Sequence, residues 1–202
     1  MLDTGSTTAL DGIAAYDPAD WYWRKEDGSL FSSARVATVS NEDETFLQWT
    51  QAGLRTPTNW PRDEHGAETV GALQSALDPV GGHASLQHYA SGIRYLVEVA
   101  GAMATVGGKS VLVSTARGED RSALSNTMIA ILAGVRQDGA AFKFADGGSR
   151  PVTNDEMKAA IVAAFHHVQA AFDLEQDVIG KIGSGKVKTI EQVDEIFALL
   201  AV

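Results

Sequence analysis

The chain has 202 residues, 45% hydrophobic and 21% charged, a balance that suits one substantial core or two small ones and excludes a chain disordered throughout. Its formal net charge of −10 opposes phosphate backbones and disfavours a nucleic-acid partner, and the absence of cysteine removes disulfides, thiolate nucleophiles and cysteine-ligated zinc together. No stretch approaches the roughly 20 apolar residues that span a bilayer, and the first residues lack the basic start and apolar core of a signal peptide, so no membrane insertion is expected.

Residues 1–19 are threonine, serine, glycine and alanine with a few acids, and show neither helical nor strand periodicity. They read as a polar arm, a type of segment that orders when a partner or neighbouring subunit holds it. Residues 20–60 form an aromatic module. Two strand-like runs, Trp21 to Lys25 and Leu30 to Val39, flank Glu26-Asp-Gly-Ser29, whose Asp27-Gly28 pair tolerates the positive φ of a hairpin turn. Asn41-Glu-Asp-Glu44 reads as a capping box with Asn41 at the N-cap; Phe46, Leu47 and Trp49 give the short helix its apolar side, and Gly53 stops it. Thr56 to Pro61 is extended, because residues before proline are pushed out of the α region, and it suits a linker or a covering strand.

Residues 61–83 read as a linker with a short helix between Gly66 and Leu77, ended by Pro79-Val-Gly-Gly82, and the boundary with the C-terminal domain, 84–202, falls near there. A helix from about Ala84 to Ala104 places Leu86, Tyr89, Ile93, Leu96, Ala100 and Met103 on one face, a seam for another helix. Gly107-Gly108 then leads into a strand at Val111 to Thr115. A helix from Glu119 or Asp120 to Leu132 is capped by Gly134, and Phe142 and Phe144 precede a turn at Asp146-Gly-Gly148, a second hairpin.

Thr153-Asn-Asp-Glu156 is a capping box that opens the longest helix, which ends before Gly183-Ser-Gly185. Met157, Ile161, Phe165, Val168, Phe172, Glu175, Ile179 and Ile182 follow near-heptad spacing, with Glu175 out of character; Phe165, Val168, Phe172 and Ile179 are the expected packing core of this helix. Thr189 caps a final helix that returns Ile190, Val193, Ile196, Phe197 and Leu200 to the core. The expected fold is α+β: a small N-terminal β-hairpin module and a mainly helical C-terminal domain with a minor sheet.

Several of these stretches carry a family resemblance. Arg117 to Met128 is an acidic turn leading into a small-residue helix, Phe142 to Gly148 an aromatic strand and turn, and Val152 to Met157 with Ala164 to Phe172 a helix bearing His-Val-Gln and phenylalanine. In this order they resemble a domain of unknown function found in phage tail and tail-fibre proteins, several of which also begin with an aromatic hairpin, here Trp21 to Arg35. The resemblance covers about two thirds of the chain. The family's frequent strand tryptophan is replaced by Phe142 or Phe144. The resemblance implies a virion tail component and carries no catalytic motif.

Motifs that look chemical weaken on inspection. Asp3-Thr-Gly-Ser6 matches the aspartic-protease tetrapeptide, but no strand precedes it and no second copy follows. Gly107-Gly-Lys-Ser110 is similar to the end of a P-loop, yet Met103 stands at the first glycine position and a helix precedes where one should follow. Gly183-Ser-Gly-Lys186 lacks the next hydroxyl and reads as a helix C-cap. His166 and His167 point about 100° apart on a helix, which suits flank and surface positions better than a zinc site. Ser114 and Asp120 could join a histidine in a hydrolase triad, but no nucleophile elbow surrounds Ser114. Glu42, Asp43 and Glu44 are acids at a helix start, where the macrodipole favours them. No catalytic residue, cofactor or metal ligand is therefore expected.

All four tryptophans, Trp21, Trp23, Trp49 and Trp60, lie in the first third of the chain. Trp21 and Trp23 share one face of the hairpin and Tyr22 takes the other; one face covers Phe46 and Trp49, and Trp21, Tyr22 and Trp23 are candidates for contact with a partner through the other. A sugar-stacking platform is the less favoured use. The expected function is a structural tail protein of the fibre, baseplate or head-to-tail region, synthesised in the host bacterial cytoplasm and retained in the virion. Its expected partners are other tail or connector proteins and further copies of itself. A tail-fibre assembly chaperone that leaves the particle is the alternative, and an envelope hydrolase comes third.

Overall fold

The computed structural model describes residues 16–52 and 55–200, so most of the expected arm, and Gly53, lie outside the described residues. The chain divides into two compact units, Met1–Tyr89 and Ala90–Val202. The fold is mixed α+β, with small sheets and a helical C-terminal region.

In the first unit β1 (Tyr22–Arg24) and β2 (Leu30–Ser32) form the expected hairpin, with Gly28 at φ +85° in its turn. The run from Leu30 to Val39 is not one strand. It turns back at Ser33 to Val36, where Val36 takes φ +50°, and β3 (Ala37–Val39) returns antiparallel to β2. Ser33 fixes this turn: its Oγ accepts from the Trp21 amide at 2.9 Å and donates to the Pro18 carbonyl at 2.7 Å. β4 (Thr58–Asn59), extended by its proline neighbours, pairs parallel to β1 and completes the sheet order β3-β2-β1-β4.

Strand alternation separates two aromatic faces. Tyr22 and Leu30 face α1 (Glu44–Gln51), packing with Phe46 and Trp49, while Trp21 meets Trp49 edge-on at 4.8 Å. Trp23 sits opposite Phe31 in register, and Trp60 packs on Phe31 at 5.7 Å. With both faces covered, Trp21, Tyr22 and Trp23 are all buried rather than presented on a contact surface. The N-cap of α1 is Asp43, not Asn41. Asp43 accepts from the Phe46 amide at 3.0 Å and also takes both Nη nitrogens of the Arg35 guanidinium, whereas Asn41 turns to Arg24. α2 (Val70–Leu77), capped by Thr69, buries Leu73 and Leu77 completely.

α3 (Leu86–Val99) crosses the division between the units and stops five residues before the expected end. Gly101 causes the stop. It takes φ +100°, and a Cβ there would lie 2.8 Å from Leu112 Cδ1 and 2.9 Å from the Val113 carbonyl oxygen. The chain leaves Gly101 as β5 (Ala102–Val106), which pairs antiparallel with β6 (Lys109–Val113) across Gly107 and Gly108, at φ +57° and +72°. The residues expected to make a helical seam are therefore split: Met103 lies in β5, Leu96 is exposed, and Ala90 and Glu98 are the buried positions of α3.

α4 (Glu119–Leu132) ends at Gly134, β7 (Ala141–Lys143) and β8 (Ser149–Pro151) make the expected second hairpin, and α5 (Asn154–Gly183) opens on the Thr153–Glu156 capping box. α6 (Ile190–Phe197) is capped by Thr189 and buries Val193 and Phe197. The buried stripe of α5 is Met157, Ala160, Ile161, Ala164, Ala171, Glu175 and Val178. It lies one step round the helix from the expected core: Phe165 and Phe172 are partly exposed, at 39% and 37%, and Val168 and Ile179 are half-buried. The reason is backbone proximity. α5 packs along β5, whose Ala102, Ala104 and Val106 face inward, and alanines allow that approach where phenylalanine would hold the helix away.

Gly101→Ala is therefore expected to destabilise the protein by about 2 kcal/mol or more, combining backbone strain with overlap at the Val113 carbonyl. Gly180→Ala, on the exposed side of α5 with open space at its Cβ, should stabilise by about 0.5–1 kcal/mol. Urea unfolding of the two variants checks both signs.

Candidate functional site

The most heavily charged arrangement in the second unit surrounds Glu98, a fully buried carboxylate in the last turn of α3. A buried charge needs partners that replace its water, and three arginines supply them. Arg117, in the loop after β6, donates from Nε and Nη2 to the two carboxylate oxygens at 2.9 and 2.8 Å. Arg121, in the first turns of α4, donates to Oε1 at 2.5 Å, and Arg94, one turn earlier on α3, donates to Oε2. Arg94 also reaches Glu175 on α5 at 3.2 Å, which explains the acid in that buried stripe.

Thr115 closes the arrangement from the backbone side: its Oγ1 donates to the Glu98 carbonyl at 2.6 Å and accepts from the Gly101 amide at 3.0 Å. The Arg117 hydrogen bonds hold the Glu98 carboxyl at about 2, against an ordinary value of 4.5, with burial opposing and Arg121 assisting. Arg117 is in turn pushed up by its bond to Glu98. With four donors on its two oxygens, Glu98 has no free lone pair aimed at a substrate. The cluster joins α3, the β6–α4 loop, α4 and α5, and its chemistry is that of a fastening.

Two open features flank this fastening. A cleft of about 490 Å³ lies between the end of β6, the first turns of α4 and the β7 hairpin, lined by Val113, Leu124, Phe142 and Phe144 with Ser114 and Asp120. The structure does bring Ser114 and Asp120 together, the serine hydroxyl donating to the carboxylate, but no histidine lines the cleft, so the triad is not assembled there. A more apolar groove of about 370 Å³ runs between α4 and α5, lined by Ser125, Met128, Ile129, Ile161, Val162, Phe165 and His166.

The remaining motifs fall into structural positions. Gly107 to Ser110 forms the β5–β6 turn and start of β6, with the Gly107 amide donating to Glu156 at 2.8 Å, and Gly185, at φ +71°, follows the C-cap of α5. His167 is hydrogen-bonded to the Val97 carbonyl at 2.7 Å, while His166 faces the apolar groove. Asp3-Thr-Gly-Ser6 lies outside the described residues. Among the described residues, no group of three or more histidines, aspartates or glutamates is arranged to hold a metal ion, and no helix is long and apolar enough to cross a membrane.

The Glu98 cluster was missed by sequence reasoning. Its two signals, Arg94 with Glu98 and Arg117 with Arg121, each four residues apart, are legible as pairs, but their meeting is a tertiary fact.

Residues 84–197, more than half of the chain, match a domain of unknown function, DUF4376. The chain belongs to that family. No curated protein and no solved structure matches it.

Glu98→Gln keeps the shape and removes the charge, leaving Arg117 and Arg121 without their carboxylate and Arg94 with Glu175 alone, and is expected to cost about 3 kcal/mol at neutral pH. Because the folded carboxyl is lowered, its contribution is complete above pH 4.5 and is lost as pH falls towards about 2. Thermal melts of wild type and variant should therefore differ most above pH 4.5 and converge below it. A constant gap down to pH 2 would contradict the assignment.

Proposed function

We propose that this DUF4376 chain is a structural component of a bacteriophage tail, in the fibre, baseplate or head-to-tail region. On this reading it is made in the host cytoplasm, stays in the virion, and acts through contacts with tail or connector proteins and with further copies of itself. The observation that carries the mode of action is an exposed apolar strip on the second unit: Ile129 and Leu132 on α4, Val135 just beyond it, and Val162 and Phe165 on α5. Ile129, Val162 and Phe165 border the apolar groove, so the strip is continuous across the two helices. Contiguous apolar surface of this kind marks protein contacts. The resemblance of Arg117 to Met128, Phe142 to Gly148 and Ala164 to Phe172 to phage tail domains supports the setting.

Density-gradient-purified virions should contain peptides of this protein at a stoichiometry set by tail symmetry. Its absence from particles, with abundant protein left in the lysate, would favour the assembly chaperone instead. Ile129→Glu, at an exposed position, should change folding stability by no more than about 0.5 kcal/mol while reducing incorporation; full incorporation would remove the strip from the proposal.

A further inference from the structure

We propose that the cleft between β6, α4 and β7 is a binding site for an arginine side chain of a protein partner. The site is distinct from the apolar strip and does not depend on the tail setting. Its volume, about 490 Å³, is within the range of clefts that enclose small ligands or anchoring side chains. Buried Val113, Leu124 and Phe144 make the floor, and half-exposed Phe142 stands beside Phe144 with ring centroids 5.2 Å apart. At the opening Asp120 accepts from the Ser114 hydroxyl and forms no ion pair among the described residues.

The chain shows twice what such a combination holds. Arg94 lies 4.7 Å from the ring centre of Phe172 while bonded to Glu98 and Glu175, and Arg150 lies 5.2 Å from that of Phe144 while bonded to Asp146. In both, a guanidinium rests against phenylalanine and donates to carboxylate, an arrangement its flat face and fork of donors favour over the point charge of a lysine ammonium. Asp120 with Phe142 is a third carboxylate and phenylalanine in one cleft, with no guanidinium of the described residues between them. Lys143 also lines the cleft, but strand alternation sets its side chain opposite Phe142 and Phe144. The net charge of −10 adds a long-range attraction for a basic partner.

The test is a titration of the full chain with N-acetyl-arginine N-methylamide, followed by amide NMR, alongside the lysine and norleucine analogues. The arginine probe should shift the amides of Ser114, Asp120, Phe142 and Ala145 saturably. Asp120→Asn, which keeps the hydrogen bond to Ser114, should weaken binding about tenfold, the effect expected for losing a charge-assisted pair. Phe142→Leu, which keeps apolar volume and removes the ring, should weaken it as well. Undiminished binding by Asp120→Asn, equal binding of the lysine or norleucine analogue, or no saturable shift at these amides would overturn the proposal. None of these outcomes bears on whether the protein is retained in virions.

Discussion

One buried carboxylate organises the second unit. Glu98 has no solvent exposure, and it stays ionised because Arg94, Arg117 and Arg121 surround it. Exposed ion pairs contribute little, since water competes for both partners; this carboxylate is fully enclosed, so its loss leaves the part-buried Arg121 without its charged partner. The arrangement also answers local electrostatics. Arg121 stands in the first turns of α4, where a positive charge opposes the helix dipole, and Glu98 offsets that cost.

The open surfaces follow from this fastening and from small side chains. Ala160, Ala164 and Ala171 bring α5 close to β5, turning the larger Phe165 and Phe172 to the flanks. Phe172 receives Arg94 on its ring and so belongs to the cluster, whereas Phe165 remains beside the apolar groove. On the other side of α4, Arg121 bonds the Thr115 carbonyl at 2.8 Å, fixing the loop that carries Ser114 into the cleft. Rigid elements thus hold the apolar strip and the cleft, which limits the conformational entropy lost when a partner binds.

Local chemistry was legible wherever the deciding residues are neighbours in sequence. The Thr153–Glu156 box, the Thr189 cap, the Asp27-Gly28 turn and the stop of α4 at Gly134 are all set within a few residues, and the structure forms each of them where the sequence places it. The misreadings share a different cause. Asn41 and Asp43 are equally good caps in isolation, and Arg35 decides between them. Leu96 to Met103 continues a helical period that Gly101 breaks, because its backbone lies against Val113. The long helix has two adjacent apolar stripes, and the close approach of β5 selects the one with alanine. The aromatic hairpin suggested a contact face, but Trp60 covers Phe31 from a segment that sequence alone leaves open between linker and covering strand. Among the candidate sites, Ser114 and Asp120 were noticed as chemistry and prove to be cleft-lining groups, whereas the Glu98 cluster needed four separate elements to meet.

Native-state hydrogen exchange tests the organising role of Glu98 most directly. The Gly101 amide, bonded to Thr115 Oγ1, and the Ser122 amide, bonded to the Gly118 carbonyl, lie on opposite sides of the cluster. If Glu98 fastens these elements together, the two amides exchange with the same opening free energy, and both lose protection by the same amount when Glu98 is replaced by glutamine. Independent opening of the first turn of α4, with Gly101 still fully protected in the variant, would contradict the account.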